Sequence, residues 1–570
     1  MNYTQLLAGL IAGAAPKEAG IEAADVLQMI ENPPERKLGD FALPCFKLSR
    51  ALRKASPAIA QEMADIIREN LPEYLERVEA VGGYLNFYLD RARFAENTLS
   101  SIFESGENYG SAMDGNGRVI CIDFSSINIA KPFHIGHLSS TAIGNALTRI
   151  YTFLGYKTVG INHLGDWGTQ FGKLIVAFKK WGDKEEIERD GVSGLLKIYV
   201  RFHDEAEKDE ALGDEARAWF RRIEDGDEEA MALFEWFKDI TLKEVQRIYD
   251  LLDVHFDSYA GESFYNDKIG GVLDELEQKN LLERSQGALV VDLAEEDMPP
   301  CMILKADGAT LYATRDIAAA IYRRKTYGFH KSLYVVAYQQ NLHFQQFFKV
   351  LEKMGYDWAK DMVHVAFGMV SLKDATLSTR RGNVVFLQDV LDSCIDKARQ
   401  IMLEKSPELE NPDETARQVG VGALVFQTLS AGRIKDITFT FERALNFDGE
   451  TGPYVQYTHA RCCSVLKKAP EGLRGSGDPG ALCDEEAQSL LALLARFPQA
   501  VSAAAEQYEP SVITRYVVDV AQAYNKFYYE HQILCDEKEV RDARLALTEA
   551  TRSVIRKALY LIGLHAPQSM

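Results

Sequence analysis

Asp123-Phe-Ser-Ser-Ile-Asn-Ile-Ala-Lys-Pro-Phe-His-Ile-Gly-His137 joins an apolar run, Val119–Phe124, to an amphipathic stretch, Leu138–Leu154, that Gly155 stops. The run reads as a buried strand and the stretch as a helix. Val159–His163 reads as the next strand, and strand, loop, helix, strand is the βαβ unit of a doubly wound parallel sheet. In such a sheet ligands sit beyond the carboxyl ends of the strands, and the free N–H groups at a helix start attract phosphate. His134 and His137, three residues apart, lie on one side of the first turn, where they can donate to a phosphate oxygen. Gly136 lets a nucleotide approach the backbone. On its own the pair could equally hold a metal or cap the helix.

Working outward, the first stretch to about residue 115 combines helical patterns such as Pro57–Asn70 with strand-like alternation over Val78–Leu89, and predicts a small α+β domain. Gly110–Gly117, with three Gly among Ser, Asp and Asn, reads as a linker. Residues from about 179 to 283 are helical in pattern and interrupt the α/β alternation as an insertion. Strand-like runs at Gly287–Leu293, Met302–Leu304, Leu333–Val336 and His364–Phe367, with helices at Asp316–Tyr327 and His343–Met354, are expected to complete the same sheet. From Pro412 long helices run to the end, among them Val512–His531 and Glu539–Ile562. The expected division is 1–115, a Rossmann-like domain over 116–390, a helical connector over 391–445 and an all-α module over 446–570.

A chain of 570 residues suits several cores, and 46% hydrophobic with 26% charged residues suits folded domains throughout. The start carries no basic segment ahead of its apolar residues, and no uncharged apolar run could span a bilayer, so a cytoplasmic protein is expected. Eight scattered cysteines lack any Cys-x-x-Cys pair. They predict reduced thiols and no structural zinc. A formal charge of −20 argues against a nucleic-acid partner, although much of the acidity lies in Asp183–Glu229 and leaves room for a local basic groove elsewhere.

His-Ile-Gly-His after a strand is the signature of class I aminoacyl-tRNA synthetases, and the run Asn128-Ile-Ala-Lys-Pro-Phe-His-Ile-Gly-His137 resembles bacterial-type arginyl-tRNA synthetases in particular. The resemblance implies activation of arginine with ATP and Mg²⁺, transfer to the 3′ adenosine of tRNA, and a monomer. It continues at Asn162-His-Leu-Gly-Asp-Trp-Gly-Thr-Gln-Phe-Gly172, where Gln170 would face the amino acid, and at Gly261-Glu-Ser-Phe-Tyr265. Leu311-Tyr-Ala-Thr-Arg-Asp-Ile-Ala318 and Gln340 carry the substrate signal: Tyr312 and Asp316 are four apart and can converge on one pocket. By the resemblance Tyr312, Asp316 and Gln340 contact arginine, and Asn128 holds its α-amino end. A guanidinium is a planar fork of donors that a carboxylate matches and an ammonium cannot imitate. Whether Asp316 or Glu262 meets it stays open here.

The second ATP motif of the class, Lys-Met-Ser-Lys-Ser, corresponds to Ala375-Thr-Leu-Ser-Thr-Arg-Arg-Gly-Asn-Val-Val385, with both lysines gone. Ser378, Arg380 and Arg381 remain to contact ATP, and Lys131, just before the signature, takes over part of the charge alongside His134 and His137. Ile127 stands where the family usually has proline, and Ser139 where it has arginine. Phe447-Asp-Gly-Glu-Thr-Gly-Pro-Tyr-Val-Gln-Tyr-Thr-His-Ala-Arg461 resembles the start of the family's anticodon-binding domain. Tyr454, Tyr457 and Arg461 are candidates there for stacking on bases, although helix-spaced aromatics also serve as core. Gly82-Gly-Tyr-Leu-Asn86 resembles the family's N-terminal domain that touches the outer corner of tRNA, with Asn86 as a base contact. Two rivals remain. A class I synthetase for another amino acid, such as cysteine, would require zinc-ligating cysteines, and a tRNA-binding module without catalysis would explain the missing lysines.

Overall fold

A computed structural model describes residues 3–33, 36–306, 312–373, 385–470 and 477–570. They form two compact units that do not follow chain order: residues 1–109, 461–497 and 519–554 make one, and 110–460, 498–518 and 555–570 the other.

In the first unit β1 (Phe41–Pro44), β2 (Leu75–Val81) and β3 (Tyr84–Leu89) form an antiparallel sheet in the order β1-β3-β2. The alternation over Val78–Leu89, read as one strand, is a hairpin. Val81 pairs with Tyr84 across Gly82 and Gly83, both with positive φ, which is the two-residue turn whose twist matches paired strands. Helices Ser56–Glu69 and Arg91–Ser105 accompany the sheet, and Pro57 at the start of the first suits a position whose N–H has no intrahelical partner. The helix Glu485–Ala495 packs beside Arg91–Ser105: Gln488 Nε2 donates to the Arg91 carbonyl at 3.0 Å and Tyr109 Oη to that of Leu494 at 2.9 Å.

The second unit is built on a parallel sheet. Its strands β4 (Val119–Asp123) and β5 (Lys157–Ile161) are followed in sequence by β6 (Glu283–Ser285), β7 (Ala288–Val291), β8 (Cys301–Leu304), β9 (Lys331–Tyr334) and β10 (Met362–His364). The parallel sheet has the order β10-β9-β4-β5. From β4 the chain crosses to β5 on one side, and from β9 to β10 on the other, so the order reverses between β4 and β9. That is where loops splay and ligands bind in open α/β sheets. The runs expected to complete this sheet at 287–293 and 302–304 instead form a separate antiparallel sheet, β6-β7-β8. Gln286 and Gly287, both at positive φ, turn β6 back on β7, and links this short cannot make the crossover that parallel neighbours need.

Helices cover the parallel sheet because its strands are apolar on both faces. Ile317, Ala318, Ile321, Phe344, Phe347 and Leu351, from Tyr312–Tyr327 and Asn341–Lys353, pack with Cys121, Val159 and Ile161 in one core. The insertion is helical as expected, its longest member being Glu228–Leu252, capped by the Asp227 side chain on the Ala230 N–H. Two short strands that were not expected, β11 (Val370–Leu372) and, in the expected helical connector, β12 (Ile437–Phe439), pair in parallel. Among the described residues no helix is long and apolar enough to cross a membrane.

Candidate functional site

The signature stretch leaves β4 through Ser125 and Ser126, and Ala130 follows; all three take positive φ without being glycine. Three such residues in six positions cost strain, which a loop keeps only where surrounding contacts over-determine it. The contacts are present. Thr141 Oγ1 donates to Ser125 Oγ at 2.9 Å, Ser125 Oγ meets Tyr249 Oη at 2.8 Å, and Asn162 Nδ2 donates to the same phenol at 2.8 Å. This buried chain joins the loop, its following helix, the end of β5 and the insertion helix.

His134 caps a single 3-10 turn, Ile135–His137, that leads into the helix Leu138–Phe153. The Gly136 N–H donates to His134 Nδ1 at 3.1 Å, and the His134 N–H to His137 Nδ1 at 3.2 Å. Each Nδ1 is therefore an acceptor, and each ring carries its proton on Nε2. The rings lie 3.9 Å apart. Burial lowers the His137 pKa to about 3, with the neighbouring His134 adding to it. Burial and the Lys131 charge lower that of His134. The pair is thus two neutral donors side by side, with the exposed Lys131 supplying charge.

Residues 385–387 are tied to this turn: Ile135 N–H reaches the Val385 carbonyl at 3.3 Å and Leu387 N–H that of Phe133 at 2.9 Å. They end the second ATP segment. Its assigned residues, Ser378, Arg380 and Arg381, lie outside the described residues.

The second Gly-rich block runs alongside the signature. Gly165 N–H donates to the Ile127 carbonyl at 2.8 Å and Ile129 N–H to that of Gly165 at 3.1 Å. A Cβ on Gly165 would stand 2.4 Å from Asn128 Oδ1 and 3.4 Å from its Cα, so any larger residue must first displace the Asn128 side chain. Ile127, at the position where proline is usual, keeps its side chain buried; its carbonyl bond would survive either residue, and nothing in the structure explains the exchange. Asp166, fully buried, accepts from Ser263 N–H at 2.9 Å and Ser263 Oγ at 2.7 Å and pairs with Lys238 at 2.9 Å. It thereby fixes the segment carrying Glu262.

Asp316 lies in the second turn of Tyr312–Tyr327, where His343 Nε2 meets Oδ2 at 2.6 Å and His163 Nε2 approaches Oδ1 at 3.9 Å. Burial would raise its pKa, but the His343 hydrogen bond and the charges around it hold it below the usual carboxylate value. Glu262, 14% exposed, stands 3.6 Å from Arg315, and burial pushes it up to about 7, aided by Asp316 and Asp166. Tyr312, the first residue of its helix, is 66% exposed. Gln340 ends a short exposed turn after β9, Gln170 opens the helix Gln170–Trp181 half-buried, and Asn128 is exposed.

Beneath these groups Arg323, 1% exposed, pairs with Asp123 at 2.8 Å, and Asp123 also accepts from Ser126 Oγ at 2.7 Å. Removing one partner of such a buried pair costs about 3–5 kcal/mol. The sequence reading gave no role to Asp123, Arg323, His163 or His343. A signal existed for Arg323, which follows Asp316 by seven residues on the same helical face, just beyond the apolar run Ala318–Ile321. The histidines sit inside stretches already quoted.

Of the residues assigned to tRNA, Tyr454 and Tyr457 lie on the helix Gly452–Lys467, half-buried and 39% exposed. Arg461, in the first unit, lies over the rings of Tyr528 and Tyr529 at 5.0 and 5.6 Å. Asn86 is buried in the middle of its sheet, between Ala42 and Glu79.

Three family models match the chain: "Arginyl tRNA synthetase N terminal domain" over 3–89, "tRNA synthetases class I (R), catalytic domain" over 98–441, and "DALR anticodon binding domain" over 455–570. The chain is 54% identical over 546 residues to an arginine–tRNA ligase of Clostridioides difficile, covering 96% of each, and 52% identical over 551 residues to one of Alkaliphilus metalliredigens, covering 97% of each. The solved arginyl-tRNA synthetase of Thermus thermophilus superposes with a TM-score of 0.81 at 27% identity, covering all of both chains.

Proposed function

The chain belongs to the class I arginyl-tRNA synthetase family and is an arginine–tRNA ligase, and from that premise we propose how its residues divide the reaction. The arginine carboxylate attacks the α-phosphorus of ATP; the new carboxyl–phosphorus bond forms as the bond to pyrophosphate breaks. A terminal ribose hydroxyl of tRNA then attacks the adenylate carbonyl and AMP leaves. Neither step needs a covalent enzyme intermediate, so the site's work is placement and charge stabilisation.

His134 and His137 donate their Nε2 protons to the phosphate oxygens on which charge builds, Gly136 gives the nucleotide room, and Lys131 neutralises the triphosphate. Ser378, Arg380 and Arg381 complete the ATP contacts; the ties of residues 385–387 to the signature turn support this. Mg²⁺ enters as part of the ATP substrate, ligated by its phosphates, since the carboxylate that opens the stretch, Asp123, is already shared by Arg323 and Ser126.

On the amino-acid side Asp316 and Glu262 accept the guanidinium. Tyr312, Gln340 and Gln170 complete the pocket, and Asn128 holds the α-amino group. The observation that carries this reading is an ionised Asp316, held by His343 at 2.6 Å, close to a Glu262 that burial pushes up even with Arg315 3.6 Å away, so that a second cation between them would relieve it. Tyr454, Tyr457 and Arg461 contact the anticodon, and the sheet that holds Asn86 meets the outer corner of tRNA, Asn86 itself being buried within it rather than presented as the base contact the sequence suggested. The four-part division at 115, 390 and 445, a monomeric state and a cytoplasmic location belong to the same proposal; the gap between the catalytic and anticodon-binding matches, from 441 to 455, supports the boundary at 445, whereas the catalytic match runs across 115 and 390.

The test is ATP–pyrophosphate exchange across the twenty amino acids, with and without tRNA, on wild type and Asp316→Ala. Exchange with arginine alone, with kcat/KM reduced about 10²–10³-fold by the substitution, supports the assignment. Exchange unaffected by Asp316→Ala sinks the pocket. Full exchange without tRNA sinks the expectation that activation requires it.

A further inference from the structure

Asp316 recognises a planar cation through a carboxylate that is free to spin about its last bond unless something stops it. Recognition between guanidinium and carboxylate is directional, with two parallel hydrogen bonds in one plane, so the rotation of Asp316 sets the pose of the whole substrate. The terminal torsion of an aspartate is broad and does not fix itself.

Two imidazoles flank this carboxylate. His343 stands in the first turn of Asn341–Lys353, and its ring lies against Phe347 at 5.4 Å. Its Nε2 is 2.6 Å from Asp316 Oδ2; the carboxylate is ionised, so the imidazole is the donor. On the other side, Arg323 Nη2 lies 3.3 Å from His163 Nδ1. A guanidinium only donates, so Nδ1 accepts, and the ring proton of His163 is left on Nε2, the atom that points 3.9 Å towards Asp316 Oδ1. Arg323 in turn is anchored by Asp123, at the mouth of the signature loop. The imidazole proton facing the arginine pocket is therefore set by an ion pair that begins at the ATP loop.

We propose that His343 and His163 are positioning residues that clamp Asp316, fixing the plane in which it receives the substrate guanidinium. His343 takes Oδ2, and His163 lies far enough from Oδ1 to leave that oxygen available to the substrate. The clamp rests on the reading that Asp316 faces arginine. Its effect falls on arginine and leaves ATP untouched.

The test is tRNA-supplemented pyrophosphate exchange on the full chain, varying arginine and ATP separately, with melting curves to confirm folding. His343→Ala raises the arginine KM about tenfold, the scale of one charge-assisted hydrogen bond, with the ATP KM and kcat changed less than about threefold. His343→Gln, whose amide N–H can donate in the same place, recovers most of the loss. His163→Ala costs about threefold, in keeping with its longer approach. In an Asp316→Asn background, His343→Ala adds nothing. An unchanged arginine KM in His343→Ala, an equal rise in the ATP KM, absence of rescue by glutamine, or additive losses in the double variant each overturn the clamp. A silent Asp316→Asn overturns the pocket reading and the clamp with it, whereas a disabling Asp316→Asn beside a silent His343→Ala overturns the clamp alone.

Discussion

The two ends of the crevice between β4 and β9 are built on opposite electrical plans. At the ATP end, burial strips charge from the side chains: His137 is held down to about pKa 3 and His134 is lowered, so both serve as neutral donors whose Nδ1 atoms are already occupied by backbone N–H groups. At the arginine end burial opposes charge as well, yet Asp316 stays ionised through His343, and Glu262 is left near neutrality at about pKa 7. A polyanion arrives with its own charge and needs hydrogen-bond donors that hold still. A cation in the same low-dielectric crevice needs a counter-charge, and one committed carboxylate with a second in reserve supplies it.

If the ATP end works through fixed donors, the largest effect comes from deleting one. His137→Ala lowers kcat for pyrophosphate exchange about 10²–10³-fold with the arginine KM little changed, since the donor acts on charge that develops at phosphorus. A loss below about tenfold in single-turnover assays would remove His137 from the ATP side of the comparison. The seam between the ends is next. In Gly165→Val the new Cβ collides with Asn128 Oδ1, and the signature loop and the second block move apart. Because both ends hang on that seam, the KM values for ATP and arginine rise together and kcat/KM falls roughly thirty- to a hundredfold. If only one KM moves, the two ends are independent and the seam is merely packing.

How much of this was legible in the sequence follows from what kind of interaction holds each part. The strand before the signature, the helix after it and the imidazole pair were readable because local pattern and chain order decide them. The reversal at Gly82–Gly83 was missed because the apolar alternation continues on both sides of it, although the Gly-Gly pair is itself a turn signal; the one at Gln286–Gly287 was missed because β6, Glu283-Arg-Ser285, is exposed and carries no apolar residue to announce a strand. The parallel strands β11 and β12 pair residues 370 and 437, a contact that no local pattern announces. The clamp on Asp316 was invisible for the same reason: His163, Asp316, Arg323 and His343 come from three separate segments, and a lone histidine at the end of a strand or the start of a helix has no signature of its own.

Glu262 turns the comparison into a pH experiment. In the free enzyme its pKa of about 7 lies above the ordinary value of 4.5, so its ionisation is resisted by the fold. Its contribution to stability is full below about pH 4.5 and is lost as pH rises through 7. A bound guanidinium reverses the preference and pulls the proton off. Arginine affinity therefore rises about fivefold between pH 6 and 7 and about twofold more by pH 8, where it levels, and calorimetry in buffers of different ionisation enthalpy registers proton release on binding. Glu262→Gln flattens the profile. A wild-type profile that is already flat would place Glu262 outside the arginine site.

The smallest effect is expected at the other end, and its smallness is the point. The imidazole pair is already neutral at pH 7, and its folded pKa values lie below the ordinary 6.5. Its contribution to stability is full above about pH 6.5 and is lost as pH falls from there towards the folded values, because the unfolded chain takes up protons first. Between pH 8 and 6.5 His137 does not change charge in the folded enzyme and burial biases His134 towards its neutral form, so the ATP KM at saturating arginine should move less than about twofold while the arginine KM moves with Glu262. An ATP KM that fell several-fold as pH dropped through 6.5 would mean that imidazolium, and not neutral imidazole, meets the triphosphate. The opposition between a neutral donor end and a charged acceptor end would then collapse into two charged ends.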